Sequence, residues 1–182
     1  VYNLTAPFQD SGEDVIAARV ESRDEERSEV VFFVERDGVW EPRENTRTFQ
    51  LQDPFVSFIH GELVFGGVEV EFDSVVTDKV ISWRTQFYRG KDIDDLKLFS
   101  AGPEHMKDIR LIELSNGKIG IFTRPFGVGD ARAVIGYREI ENVSQLNVGH
   151  IEKASLFRDQ FYKEEWGGVN EAHLLSNGLI GV

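Results

Sequence analysis

The sequence predicts an all-β domain built from repeated units, and three observations carry that prediction. Short runs rich in Val, Ile, Phe and Tyr fill the chain: VIAARV, EVVFFVE, FVSFIH, ELVFGGVEVEF, VISWRTQFY, IRLIEL, KIGIFT and ARAVIGYREI. Between them lie DSGED, RDGV, HGE, SNGK, GVGDA and SNGL, which carry the Gly, Asn and Asp that turns require. No stretch keeps the apolar period of a helix of three turns, and RDQFYKEE (Arg158 to Glu165) is at most a short one.

Taken in order, the elements fall into units of an acid, a strand, a turn glycine and a second strand. The turn glycines are Gly12, Gly61, Gly117 and Gly178, at steps of 49, 56 and 61 residues. Those steps approach the roughly 40–50 residues of a propeller blade. The first unit continues into EVVFFVERDGVWEPR, the second into VISWRTQFYRGKDI and the third into ARAVIGYREIENV, each a second hairpin. Two hairpins make a four-stranded antiparallel sheet, the blade of a β-propeller. A β-sandwich is the competing architecture, since evenly spaced short strands suit it too. SNGK and SNGL are expected to close as tight type I′ hairpins, because Asn-Gly takes positive φ.

The fourth unit stops inside a strand at GLIGV. The expectation is therefore one propeller domain over residues 1–182, shortened at its C-terminus to about three and a half blades. The alternative is that Val1–Phe8 pairs with the C-terminal strand and closes a four-bladed ring, because an unclosed ring leaves strand edges exposed.

Composition narrows the function classes. The chain has 182 residues, enough for one domain with a real core. A net charge of −12 argues against a nucleic-acid partner, which needs clustered Lys and Arg. Cysteine is absent, which removes disulfides, thiolate nucleophiles and cysteine-held zinc and fits a reducing, cytoplasmic location. No apolar run approaches a membrane span. His60, His105, His150 and His173 lack close ligand spacing, so no metal is expected. Gly66-Gly67 and Gly127-Val128-Gly129 precede no helix and are not dinucleotide or phosphate-loop signals. No other cofactor is implied.

YNLTAPF, RVESRDEERSEVVFF with DGVW, QDPF, KDIRLIELSNGKIGIFTRP and WGGVNEAHLLSNGLIGV, in that order, resemble the five-bladed propellers related to mannoside phosphorylases. The resemblance is greatest to an uncharacterised family of that superfamily and runs through essentially the whole chain. It implies that the innermost strand of each blade starts at the mouth of a central channel. Residues just ahead of those strands would then converge, although they stand some 50 residues apart. Glycosidic cleavage needs that convergence: one carboxylic acid protonates the leaving oxygen while an opposing group activates water or admits phosphate.

On that resemblance Asp108, Asp53 and Glu171 are the candidate catalytic acids, Asp108 being the proton donor. Arg124, Lys107, Arg19, Glu21 and Trp166 are the candidate substrate-binding residues. Each has a plainer reading. Asp53-Pro54 suits a turn, and Asp108 suits an exposed pair with Lys107 or Arg110. Arg124 suits a structural ion pair. Glu21 to Glu29 suits a solvated loop. Trp40, Trp83 and Trp166 suit the core of a small β protein.

The implied activity is glycosidase-like, on a β-mannoside or related glycoside. The alternatives are a propeller that binds glycan or protein without turnover, and a phosphorylase taking inorganic phosphate as second partner. A phosphorylase should gather two or more basic residues beside the acid, and strand alternation threatens to split Lys107, Arg110 and Arg124 between faces. Oligomeric state is left open by the sequence.

Overall fold

Each repeat turns over at a glycine held at positive φ: Gly12 at 83°, Gly61 at 78°, Gly117 at 80° and Gly178 at 81°. A side chain there would strain the backbone, so the repeat spacing is written in glycine. The structure is a computed structural model and describes residues 1–24, 27–76, 78–127, 133–162 and 164–182.

Its strands, in chain order, are β1 (Tyr2–Leu4), β2 (Phe8–Asp10), β3 (Glu13–Glu21), β4 (Ser28–Arg36), β5 (Val39–Pro42), β6 (Gln52–Ile59), β7 (Glu62–Phe72) and β8 (Val80–Gly90). They continue with β9 (Lys97–Ala101), β10 (Arg110–Glu113), β11 (Ile119–Thr123), β12 (Gly136–Ile140), β13 (Ser155–Leu156), β14 (His173–Leu174) and β15 (Ile180–Gly181). The sheets follow chain order: β1 and β2 against β3, then β4 and β5; β6 to β9; β10 to β13; β14 with β15. These are three propeller blades and the inner hairpin of a fourth, all antiparallel. The inner strands β1, β6, β10 and β14 touch in succession, so the sheets are arranged around one axis and not stacked as a sandwich. Residues 2–4 pair with β3, not with the C-terminal strand, so they belong to the first blade.

The turns divide into two kinds. Ser11-Gly12, Asp37-Gly38 and His60-Gly61 have positive φ at both residues and close two-residue hairpins, as a type I′ loop requires. The SNG turns differ from the expectation. Gly117 N–H donates to the Leu114 carbonyl and Leu114 N–H to that of Lys118, with only the glycine at positive φ. That is a three-residue loop, a type I turn followed by a left-handed glycine. The extra residue frees the Asn116 and Asn177 carboxamides to accept the Lys118 and Leu179 N–H groups, each at 3.0 Å.

Arg158 to Glu165 is not helical among its described residues. The Gln160 side chain accepts from Ile135 N–H and donates to the Ile135 and Phe157 carbonyls, which pins the segment against the third blade. The α-helix among the described residues is instead α1 (Val148–Ile151), where Asn147 caps by accepting the His150 N–H. Glu25 and Glu26 of the acidic run, Val128 and Gly129 of the second glycine pair, and the start of ARAVIGYREI lie outside the described residues.

Packing lies between blades. Val15, Ala17, Val30, Phe32 and Val34 of the first blade meet Leu63, Phe65, Ile93 and Leu96 of the second. Phe55, Ile59, Val64 and Phe87 of the second meet Ile109, Leu111, Ile119 and Ile121 of the third. Alternation on β7 produces this two-sidedness: Leu63 and Phe65 face one neighbour and Val64 the other. Ile112 and Phe122 meet Val169 at the start of the fourth blade. The outer strand β5 is exposed throughout and β9 partly so.

Candidate functional site

β1, β6 and the segment entering β10 each carry an Asx residue in left-handed backbone: Asn3 at φ 50°, Asp53 at 47° and Asp108 at 58°. Asn and Asp tolerate that region better than other side chains, and such strain gathers at functional sites. The three stand eight or nine residues ahead of Gly12, Gly61 and Gly117, so they occupy the same level in three successive blades. A cavity of about 800 Å³ opens where they meet, lined by Asn3, Asp53, Asp108, Arg110, Arg124 and Trp166, with Glu171 and His173 from the fourth blade.

Around Asp53 the charges alternate. It accepts a hydrogen bond from the Asn3 amide, pairs with Arg19 Nη1 at 3.2 Å and lies 3.6 Å from Lys107 Nζ. Arg19 also pairs with Glu21 at 2.7 Å and sits 5.0 Å over the Tyr2 ring, so these two residues of β3 turn toward the acids. Burial pushes the Asp53 carboxyl up. The Asn3 amide, Lys107 and Arg19 outweigh it and hold the group below the usual carboxylate range.

Asp108 pairs with Arg124 and lies 3.7 Å from Arg110 Nη2. Arg124 is itself held: its Nε donates to the Gly167 carbonyl at 3.1 Å and its guanidinium lies 5.0 Å from the Trp166 ring. Arg110 is more enclosed, with its side chain 7% exposed. Its Nε donates to the Asn170 carbonyl at 2.8 Å, its Nη1 to Ile109 at 3.2 Å, and the group rests 4.8 Å over Phe55. Burial lowers its pKa, with Asp108 and Asp53 pulling the other way. Strand alternation does not separate the basic residues: Arg110 and Arg124 reach Asp108, and Lys107 reaches Asp53.

Glu171 lines the same cavity with a different engagement. It accepts the Ala6 N–H at 2.9 Å, in the break between β1 and β2, and the His173 ring nitrogen lies 3.1 Å away. Trp166 is 50% exposed and Trp40 37%, while Trp83 is half-buried against His105 with ring centroids 4.8 Å apart. The core role expected of tryptophan is filled by phenylalanine and the aliphatic residues instead.

Sequence reasoning passed over Asn3 and weighed Arg110 only as a pair for Asp108 or as one of three basic residues near it in the chain. The available signal for Asn3 was its spacing to Gly12, hidden because the inner strand of the first blade is interrupted at Thr5 to Pro7. No group of three His, Cys, Asp or Glu able to hold a metal occurs among the described residues. No helix among them is long and apolar enough to cross a membrane.

The family model described as protein of unknown function (DUF1861) matches residues 1–182. The chain is a DUF1861 protein. Among curated proteins none matches it. Among solved structures, the DUF1861 chain resembles a mannose phosphorylase from Leishmania mexicana in complex with a phosphate ion, with a TM-score of 0.89 and 39% identity over 99% of this chain and 55% of that one. It resembles a GDP-Man-dependent mannosyltransferase from the same organism with a TM-score of 0.86 and 40% identity, over 99% and 55% of the two chains. A Bombyx mori GH32 β-fructofuranosidase shares the fold alone, with a TM-score of 0.56 and 14% identity over 84% of this chain and 37% of that one. The DUF1861 chain thus spans about half the length of the two Leishmania proteins. It is a propeller of the mannoside-phosphorylase-like kind.

Proposed function

We propose that this DUF1861 protein transfers a mannosyl group between a carbohydrate and a phosphate-bearing partner in the axial cavity. The observation that carries the reading is the pair of guanidiniums, Arg110 and Arg124, beside Asp108. A hydrolase needs water there, whereas an anionic partner needs fixed positive charge in the planar geometry guanidinium supplies. Two basic residues beside the acid is the feature that separates phosphorolysis from hydrolysis, so the phosphate-dependent alternative is preferred. The likeness to a mannose phosphorylase and a GDP-Man-dependent mannosyltransferase supports the same choice.

In the phosphorolytic direction, a phosphate oxygen forms a bond to the anomeric carbon as the glycosidic carbon–oxygen bond breaks. Hydrogen phosphate gives up its proton as it becomes the phosphate ester, and the ion-paired Asp108 relays that proton to the leaving oxygen, directly or through a sugar hydroxyl. Arg124, shared between Asp108 and the incoming anion, neutralises the negative charge. Asp53, held ionised by Arg19 and Lys107, binds sugar hydroxyls and favours the positive character at the anomeric carbon. Glu171 and Trp166 shape the sugar site from the fourth blade, and Glu21 holds Arg19 in place.

The test uses the natural protein that contains this chain, with manno-oligosaccharides, with and without inorganic phosphate, and separately with mannose 1-phosphate or GDP-mannose as donor. Asp108→Asn should lower transfer by about 10²–10⁴-fold, the range of general acid catalysis. Turnover of mannosides that ignores phosphate would restore the hydrolase reading. Binding without turnover on every donor would leave a lectin-like propeller.

A further inference from the structure

Asp108 stands in left-handed backbone at φ 58°, a conformation that a non-glycine residue keeps only where its surroundings fix it. The fixing group lies outside the axial cavity, on the second blade. Residues 102–109 join β9 to β10, and they run along β8. Gly102 N–H donates to the Thr85 carbonyl at 2.8 Å, His105 N–H to that of Trp83 at 2.7 Å, and Thr85 N–H to that of Met106 at 3.2 Å. These bonds anchor the connector as far as Met106. The Thr85 side chain carries the anchorage past the aspartate: its hydroxyl donates to the Met106 carbonyl and accepts the Ile109 N–H, each at 3.5 Å.

Thr85 is fully buried, so it is out of reach of bulk water and of substrate. A hydroxyl both donates and accepts, whereas the isosteric valine does neither. The connector has little slack, because a Cβ on Gly102 would lie 2.6 Å from Ile109 Cδ1. The two residues bracketed by the hydroxyl are the ones delivered to the cavity. Lys107 comes within 3.6 Å of Asp53, while Asp108 pairs with Arg124 and lies 3.7 Å from Arg110. The first blade links to the approach to β6 with backbone groups: Val30 N–H donates to the Phe49 carbonyl at 2.7 Å and Phe49 N–H returns the bond at 3.2 Å. Phe49 stands four residues ahead of Asp53, so that link stops short of the acid. At Asp108 the threonine closes the gap.

We propose that Thr85 is a positioning residue for mannosyl transfer, its hydroxyl holding the backbone on both sides of Asp108 so that the carboxyl stays in line with the leaving oxygen. The proposal rests on the transfer reading above and adds to it a residue of another blade that touches no substrate. Support of this kind, from a rigid strand behind the reacting group, is what keeps a site in productive geometry. Arg124 and Arg110 are anchored separately, on the Gly167 and Asn170 carbonyls. Loss of the hydroxyl should therefore disturb the proton relay and spare the anion site.

In the natural protein that contains this chain, Thr85→Val should lower kcat for phosphate-dependent mannoside cleavage by about 10–10²-fold, the scale of a displacement of about 1 Å, with KM for mannoside and phosphate within about threefold. Thr85→Ser, which keeps the hydroxyl, should hold kcat within about threefold of the unsubstituted protein. Added to Asp108→Asn, Thr85→Val should lower kcat no further, since it acts through that carboxyl. An unchanged kcat in Thr85→Val, a loss that Thr85→Ser shares, or a full further loss in the double variant would overturn the proposal. Amide hydrogen exchange without substrate reads the same clamp. Thr85→Val should speed exchange at Ile109 by at least about tenfold and leave Ile121, in the middle of β11, unchanged. Equal exchange at Ile109 in the two proteins would also overturn the proposal. Absence of turnover in the unsubstituted protein would remove the transfer reading and the catalytic role with it, while exchange at Ile109 still decides whether Thr85 fixes the Asp108 backbone.

Discussion

Asp53 sits in left-handed backbone with an amide and two cations around it, an arrangement whose worth depends on its charge. Its folded pKa lies below the ordinary 3.8, so the folded state favours the carboxylate. The stability this contributes is present above the unfolded value and is lost as pH falls through the folded one. Asn3→Ala should cost about 1 kcal/mol at pH 7, the scale of an ordinary net hydrogen bond, and much less once the pH has fallen through the folded value. Urea unfolding at the two pH values measures the difference; equal losses would show that Asn3 does not act through the Asp53 charge. At Asp108 the planar fork matters more than the charge alone. Arg124→Lys keeps the cation but loses the stacking on Trp166 and the hold on Gly167, and transfer should fall by about tenfold or more while the melting temperature changes little.

At the scale of elements, β7 connects packing to the site. Gly66 leaves space that Phe55 fills, and a Cβ there would meet the Gln86 carbonyl oxygen at 2.5 Å and the Phe55 ring. Phe55 is also the ring on which Arg110 lies. Gly66→Ala should therefore cost about 1–3 kcal/mol from overpacking and also weaken phosphate binding, by displacing Arg110 through Phe55. A stability loss with phosphate affinity intact would break that link. On β12, burial, then the charge and hydrogen bond of Glu139, push the Tyr137 phenol up to about 12. The fold favours the neutral phenol, so this contribution is complete below the ordinary value of 10 and lost as pH rises toward 12. Tyr137→Phe should flatten the alkaline decline of the melting temperature in that window.

For the whole molecule, the blades are joined by clusters that belong to two sheets at once. Ile109 is fully buried between the second and third blades and immediately follows Asp108. Ile109→Ala should cost about 2–5 kcal/mol in chemical unfolding, as for other buried aliphatic deletions. A much smaller loss would mean that the blades are held by their hydrogen bonds and not by this core. Radial placement also explains why a strongly acidic chain presents cations at its axis: Arg19, Arg110 and Arg124 are drawn inward by Asp53 and Asp108, while the excess of acids lies elsewhere.

What the sequence determined by itself is local. Apolar alternation and turn glycines mark β3, β4, β6, β7, β8, β10 and β11, because a strand's faces and a positive-φ turn are set by a few neighbouring residues. The short outer strands β9 and β13 were not legible, since half-exposed edges carry mixed residues. Asp53 and Asp108 stood out at strand heads, and Arg110 was legible as a neighbour of Asp108, but the pairings of Asp53 with Arg19 and of Asp108 with Arg124 were not. Arg19 meets Asp53 across 34 residues and Arg110 meets Asn170 across 60. Only the tertiary structure decided those meetings, because placing sheets around one axis brings residues of equal height together regardless of their distance along the chain.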